Sequence, residues 1–138
     1  MPRDFEVFES PMPGATVITV RGEVDVATSP QVAAVVAKVL TRHATDIVID
    51  LTEVEFIDST GLGMLVGAQR SCRSVGTKLG LAVRDQRIMR LLEITGLDSL
   101  FPTAPDPHDV VTVMEILDQA PEVYPTSPGA KMNSGDQS

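Results

Sequence analysis

Cysteine is almost absent from this chain. Cys72 is the only one among 138 residues, so no intramolecular disulfide can form, which fits a reducing cytoplasm. Cations are scarce as well: 11 Lys and Arg stand against 19 Asp and Glu, giving a net charge of −8 and an isoelectric point near 4.6. A nucleic-acid binder needs Lys and Arg to neutralise phosphates, so direct nucleic-acid binding is argued against. No apolar run approaches the roughly 18 residues of a membrane span. The first residues lead straight into a strand-like segment with no signal-type stretch. Neither a membrane nor an export route is therefore expected. The two histidines, His43 and His108, are far apart and lack partners at ligand spacing, so no metal or other cofactor is expected.

What is present reads as one domain with ordinary hydrophobic content, 43%. Phe5 to Phe8 alternates as a strand does, Pro11 to Gly14 is turn-like, and Thr16 to Val20 is the next strand, so an antiparallel hairpin is predicted. Gly22 to Val26 leads to a helix start, with Ser29 as cap and Pro30 in the first turn. Val32, Val35, Val36, Val39 and Leu40 share one face of that helix. Asp46 to Leu51 reads as a buried central strand, apolar on both sides at Ile47, Val48, Ile49 and Leu51 as parallel strands tend to be. A second helix follows Ser59, with Leu62, Leu65, Val66, Gln69 and Cys72 along one side and its end at Val75-Gly76.

Lys78 to Val83 is a further strand. Asp85 caps a third helix that turns Ile88, Leu91 and Leu92 inward and ends at Gly96. Leu100-Phe101 reads as a short last strand before a helix opened by Asp106-Pro107, with Val110, Val113, Met114 and Leu117 on one face. From Ala120 the chain turns to Pro, Ser, Gly and Asn. The expected division is a domain over 1–119 and a disordered tail over 120–138. Strands alternating with helices imply an α/β fold: a mixed β-sheet with an N-terminal antiparallel hairpin, βαβ crossovers, and helices mostly on one face.

The segment Phe56-Ile57-Asp58-Ser59-Thr60-Gly61-Leu62-Gly63 joins a strand to a helix. A serine at such a turn is accessible, and the free N–H groups of the helix start tolerate negative charge. Serine-hydrolase chemistry needs a base in reach and a glycine two residues before the nucleophile, where this chain has Ile57. A phosphate-binding loop needs a lysine that is missing here. No catalytic residues are therefore expected. A purely structural reading stays open: Asp58 and Ser59 cap the helix, while Gly61 and Gly63 allow close packing.

The string Ile57 to Gly63 resembles the phosphorylation-site signature of the bacterial anti-sigma factor antagonists of the STAS-domain family. Val20-Arg21-Gly22-Glu23-Val24-Asp25-Val26-Ala27-Thr28 is similar to that family's other hallmark, a Gly-Glu-Leu-Asp segment after the second strand, with Val24 in place of leucine. The likeness spans Phe5 to Leu117 and implies the STAS fold. It implies a cytoplasmic, non-enzymatic partner-switching regulator of transcription under stress, with Ser59 as phospho-acceptor. Unphosphorylated, such a protein binds an anti-sigma factor serine kinase and frees the sigma factor; phosphorylation breaks the complex, and a metal-dependent serine phosphatase resets it. The predicted partner-contacting residues are Glu23, Asp25, Asp58, Ser59, Thr60, Gly61 and Met64. Thr60 either positions Ser59 or helps cap the helix, and Met64 is either an apolar anchor or core. The alternatives are a STAS scaffold in another pathway and a module sensing a nucleotide or small molecule.

Overall fold

The computed structural model describes residues 4–42 and 45–119. The tail 120–138, read above as disordered, and His43 lie outside the described residues. The first two strands, β1 (Glu6–Met12) and β2 (Ala15–Val24), form the expected antiparallel hairpin, paired from Glu6↔Arg21 to Met12↔Ala15. The turn is tighter than the Pro11–Gly14 stretch suggests. Pro11 belongs to β1, an edge strand where its missing N–H costs no ladder bond. Only Pro13 and Gly14 turn, and Gly14 takes the positive φ of 87°.

Three parallel strands follow: β3 (Asp46–Ile57), β4 (Leu79–Ala82) and β5 (Thr103–Ala104), in the spatial order β1-β2-β3-β4-β5. β3 is longer than its apolar run and continues to the residue before Asp58. The last strand does not lie at Leu100-Phe101. Phe101 is 5% exposed and serves as core, while residues 97–99 form a single 3₁₀ turn. Pairing begins only at Pro102, whose carbonyl accepts the Leu81 N–H at 2.9 Å and which needs no N–H of its own for that bond.

The helices are α1 (Ser29–Arg42), α2 (Ser59–Ser74), α3 (Gln86–Thr95) and α4 (Pro107–Gln119). Val32, Val36 and Val39 of α1, Leu65 and Cys72 of α2, and Ile88 and Leu92 of α3 pack with Ile18, Val20, Ile47, Ile49 and Leu81 in one core. Valine is a mediocre helix former, so this burial is what holds α1. α4 covers the opposite face of the sheet, with Val110, Val111 and Met114 against Ala15, Val48 and Ala82. Its buried stripe is rotated from the expected one: Val111 is inside, and Leu117 is 45% exposed. Asp85 caps α3 by accepting the Arg87 N–H at 2.8 Å, and Gly96 ends it at φ 77°. Ser29 does not cap α1. Asp25 and Thr28 shape the turn before that helix instead.

The seat of α4 depends on Gly80. A Cβ there would lie 2.4 Å from Val110 Cγ1 and 3.1 Å from the Pro102 carbonyl oxygen. Gly80→Ala is expected to lower stability by about 1–3 kcal/mol through overpacking. Urea unfolding measures this, and unchanged stability would contradict the packing of α4 on β4.

Candidate functional site

Strands β2 and β3 run parallel, so their C-terminal ends emerge side by side, with Glu23 paired to Phe56 and Val24 to Ile57. The ladder is irregular. Its register shifts between Gly22 and Glu23, leaving Glu55 as an extra residue on β3, and Gly22 adopts φ 98° at this bulge. As a result Val54 and Ile57, three apart, both face the core, and Phe56 is turned outward at 49% exposure.

Asp58 closes this pair of strands. Its N–H donates to the Val24 carbonyl at 3.1 Å, and its carboxylate Oδ1 accepts the Gly61 N–H at 2.9 Å. Asp58 is thus the N-cap of α2, in extended backbone geometry. Gly61 is buried because α2 begins directly on β2: a Cβ there would lie 2.8 Å from Ile57 Cγ2, 2.9 Å from Val24 Cγ1 and 3.0 Å from the Val24 carbonyl oxygen. Only glycine permits that approach.

Ser59 is therefore freed from capping. It is the first residue of α2 and exposed, and its hydroxyl has no hydrogen-bond partner among the described residues. Thr60 is exposed beside it. Glu23 is half-buried at the end of β2. The Asp25 carboxylate is committed to its own turn, accepting the N–H groups of Ala27 at 2.9 Å and Thr28 at 3.0 Å. Those bonds, that from Thr28 foremost, hold its carboxyl below the usual range. The Thr28 hydroxyl completes the turn, donating to the Glu23 carbonyl at 2.7 Å and accepting the Asp25 N–H at 2.9 Å. Strand pairing and chain adjacency thus gather Glu23, Asp25, Asp58, Ser59, Thr60 and Gly61 at one end of the sheet. Met64 lies one turn further along α2. It packs partly on the core and shares a groove between α1 and α2 with Thr60.

Two flanking residues escaped the sequence reading: Val26, 71% exposed in the β2–α1 turn, and Phe56. Strict alternation from Val54 places Phe56 inside; the signal for the bulge that turns it out is a glycine within a strand, Gly22. Spacing also passed over Asp106, His108 and Asp109, whose ligand atoms lie within 4.8 Å of one another at the exposed start of α4. The Asp106 carboxylate there accepts the Asp109 N–H at 2.9 Å as a helix cap. Cys72 is fully buried, and burial, with a lesser effect of Asp46, pushes its thiol up to about 11. A thiol so placed is packing material and a poor nucleophile. No helix among the described residues is long and apolar enough to cross a membrane.

A family model described as the STAS domain matches residues 11–110. The chain is 42% identical over 83 residues to the anti-sigma-B factor antagonist of Listeria monocytogenes, covering 60% of this chain and 73% of that one. It is 37% identical over 83 residues to the protein of the same name in Staphylococcus aureus, covering 60% and 77%. Among solved structures, an anti-sigma factor antagonist from Mycobacterium paratuberculosis is similar at a TM-score of 0.71 and 27% identity, over 81% of this chain and 95% of that one.

The cap is testable apart from any function. Asp58→Ala is expected to cost about 1 kcal/mol, while Asp58→Asn, which keeps an acceptor oxygen, stays close to the parent. Thermal melts compare the three proteins, and an Asp58→Ala variant as stable as the parent would show that the cap contributes nothing.

Proposed function

This chain belongs to the STAS domain family, and on that premise we propose that it is an anti-sigma factor antagonist controlled by phosphorylation of Ser59. In the unphosphorylated form it binds an anti-sigma factor serine kinase, which then releases its sigma factor. Phosphorylated, it lets the kinase go. A metal-dependent serine phosphatase restores the hydroxyl. The names of the relatives from Listeria and Staphylococcus support the antagonist role. The observation that carries the switch is the geometry at the start of α2: Asp58 does the capping, so the exposed Ser59 hydroxyl is uncommitted among the described residues.

In the transfer step the Ser59 Oγ bonds to the γ-phosphorus of ATP, the bond from that phosphorus to the β,γ-bridging oxygen breaks, and ADP leaves. The hydroxyl proton passes to a base of the kinase. Asp58 is assigned to the cap, where its Oδ1 accepts the Gly61 N–H, and the base is assigned to the kinase. In the reset, water attacks phosphorus and the Ser59 oxygen departs with a proton.

The product brings about −1.5 to −2 charges to the helix start. The partial positive charge of the helix N-terminus tolerates this, so the domain stays folded. A partner surface fitted to a neutral hydroxyl then faces a dianion beside the Asp58 carboxylate, and repulsion and desolvation weaken the complex. Only about 1.4 kcal/mol is needed for each tenfold loss. Glu23, Ser59, Thr60 and Met64 are assigned to direct contact with the kinase. Asp25, Asp58 and Gly61 hold the backbone that presents them.

Calorimetric titration with the anti-sigma factor kinase tests this reading. Ser59→Ala is expected to bind within about threefold of the unphosphorylated parent, and Ser59→Asp at least tenfold more weakly, a difference of about 1.4 kcal/mol or more. Equal affinity of the two variants would sink the charge switch.

A further inference from the structure

α1 and α2 lie side by side on the sheet, yet their facing flanks are cut back to small residues, among them Ala33, Ala37, Gly67 and Ala68. They leave an open groove of about 690 Å³, within the roughly 300–1,000 Å³ of small-molecule sites. None of the residues lining it is ionisable, in a chain whose net charge is −8. Val36, Leu40 and Met64 give it an apolar floor.

Two further observations point to an occupant. Gly67 stands in the interior of α2, where glycine is less favourable than alanine. A Cβ built on it meets nothing within 4 Å. Gly61 and Gly80 are glycines because backbone or side chains press on them; Gly67, like Gly63, has open space where a Cβ would sit, and of these two it is Gly67 that borders the groove and leaves it unobstructed. At the end of the groove nearest the acceptor turn, Ser29 is 3% exposed, and its hydroxyl has no hydrogen-bond partner among the described residues. That hydroxyl faces the groove without a protein partner, so a ligand oxygen can take the place of water on it.

We propose that the α1–α2 groove binds a free, uncharged amphiphilic small molecule, its apolar chain lying along Ala33, Ala37 and Gly67 and its hydroxyl or carbonyl group meeting Ser29. The charge-free lining disfavours an ionised ligand, which would leave water without gaining a partner. Thr60 borders the same end, so the occupant lies against the residue next to Ser59. This site does not depend on Ser59 being phosphorylated, and its test involves neither kinase nor ATP.

The full chain is titrated with Nile red, an uncharged apolar dye, which is then displaced by 1-decanol or by decanoate. The expected result is saturable one-to-one dye binding, displaced by 1-decanol at a concentration at least tenfold below that of decanoate. Gly67→Leu, which fills the groove, should weaken dye binding at least tenfold with an unchanged circular dichroism spectrum. Ser29→Ala should weaken 1-decanol severalfold. Equal displacement by alcohol and carboxylate overturns the proposal, as does undiminished dye binding by folded Gly67→Leu. Absence of saturable binding does the same, including the case of a groove already filled by residues 120–138 or by a second copy of the chain. Should Gly67→Leu not fold, amide chemical shifts of the parent decide. Changes with 1-decanol confined to residues 29–41 and 60–75 support the site; changes elsewhere, or none, overturn it.

Discussion

The hydrogen bond from the Asp58 N–H to the Val24 carbonyl, 3.1 Å long, is the joint on which the Ser59 end of the sheet depends. It extends the parallel ladder of β2 and β3 by one contact past Ile57 and fixes the point where the chain leaves the sheet. The Asp58 side chain then turns back to the Gly61 N–H, and the absence of a side chain at Gly61 lets α2 start in contact with Val24. One residue thus ends a strand, caps a helix and ties the two segments Val20–Thr28 and Ile57–Gly63 together. Ser59 is what this arrangement leaves over: an exposed hydroxyl at a helix start with no hydrogen-bond partner among the described residues.

That division of labour suits a reversible switch. A hydroxyl that capped the helix would be lost to the fold on modification, and the domain would be weakened with each cycle. Here the cap resides in Asp58, and Asp25 with Thr28 braces the adjacent turn. On the proposed reading, phosphate at Ser59 would change the surface charge without displacing the Asp58 cap, because the Ser59 hydroxyl makes no hydrogen bond among the described residues. Under the same proposal, the nearby Asp58 carboxylate would make the modified end of the molecule strongly anionic, so the effect would fall on a partner bound there. The exposed Val26 and Phe56 add apolar area to the same end of the sheet.

Much of this was legible in the residues, for identifiable reasons. Period-2 and period-3.6 patterns located the hairpin, the central strands and all four helices, because each element buries one face and its spacing records it. Asp85 and Gly96 marked the ends of α3 through their ordinary capping chemistry. The failures occurred where tertiary packing overrides local pattern. Leu100-Phe101 looked like a strand because apolar pairs read alike in strand and core, and only the place of Phe101 beneath the helices separates the two. The bulge at Glu55 turned Phe56 outward against its alternation. At the site, two neighbouring residues, Asp58 and Ser59, were each able to cap. Local chemistry does not rank them, and the Val24 carbonyl that orients Asp58 lies on a different strand, distant in sequence.

The central claim is that Asp58 holds the helix so that Ser59, and no neighbouring hydroxyl, is the group that reacts. The direct measurement is to incubate the intact chain with its anti-sigma factor kinase and ATP, then locate the phosphate by fragmentation mass spectrometry that resolves residue 59 from residue 60. A single phosphate on Ser59 is the predicted result. Phosphate on Thr60 or at another position, with Ser59 unmodified, would contradict it.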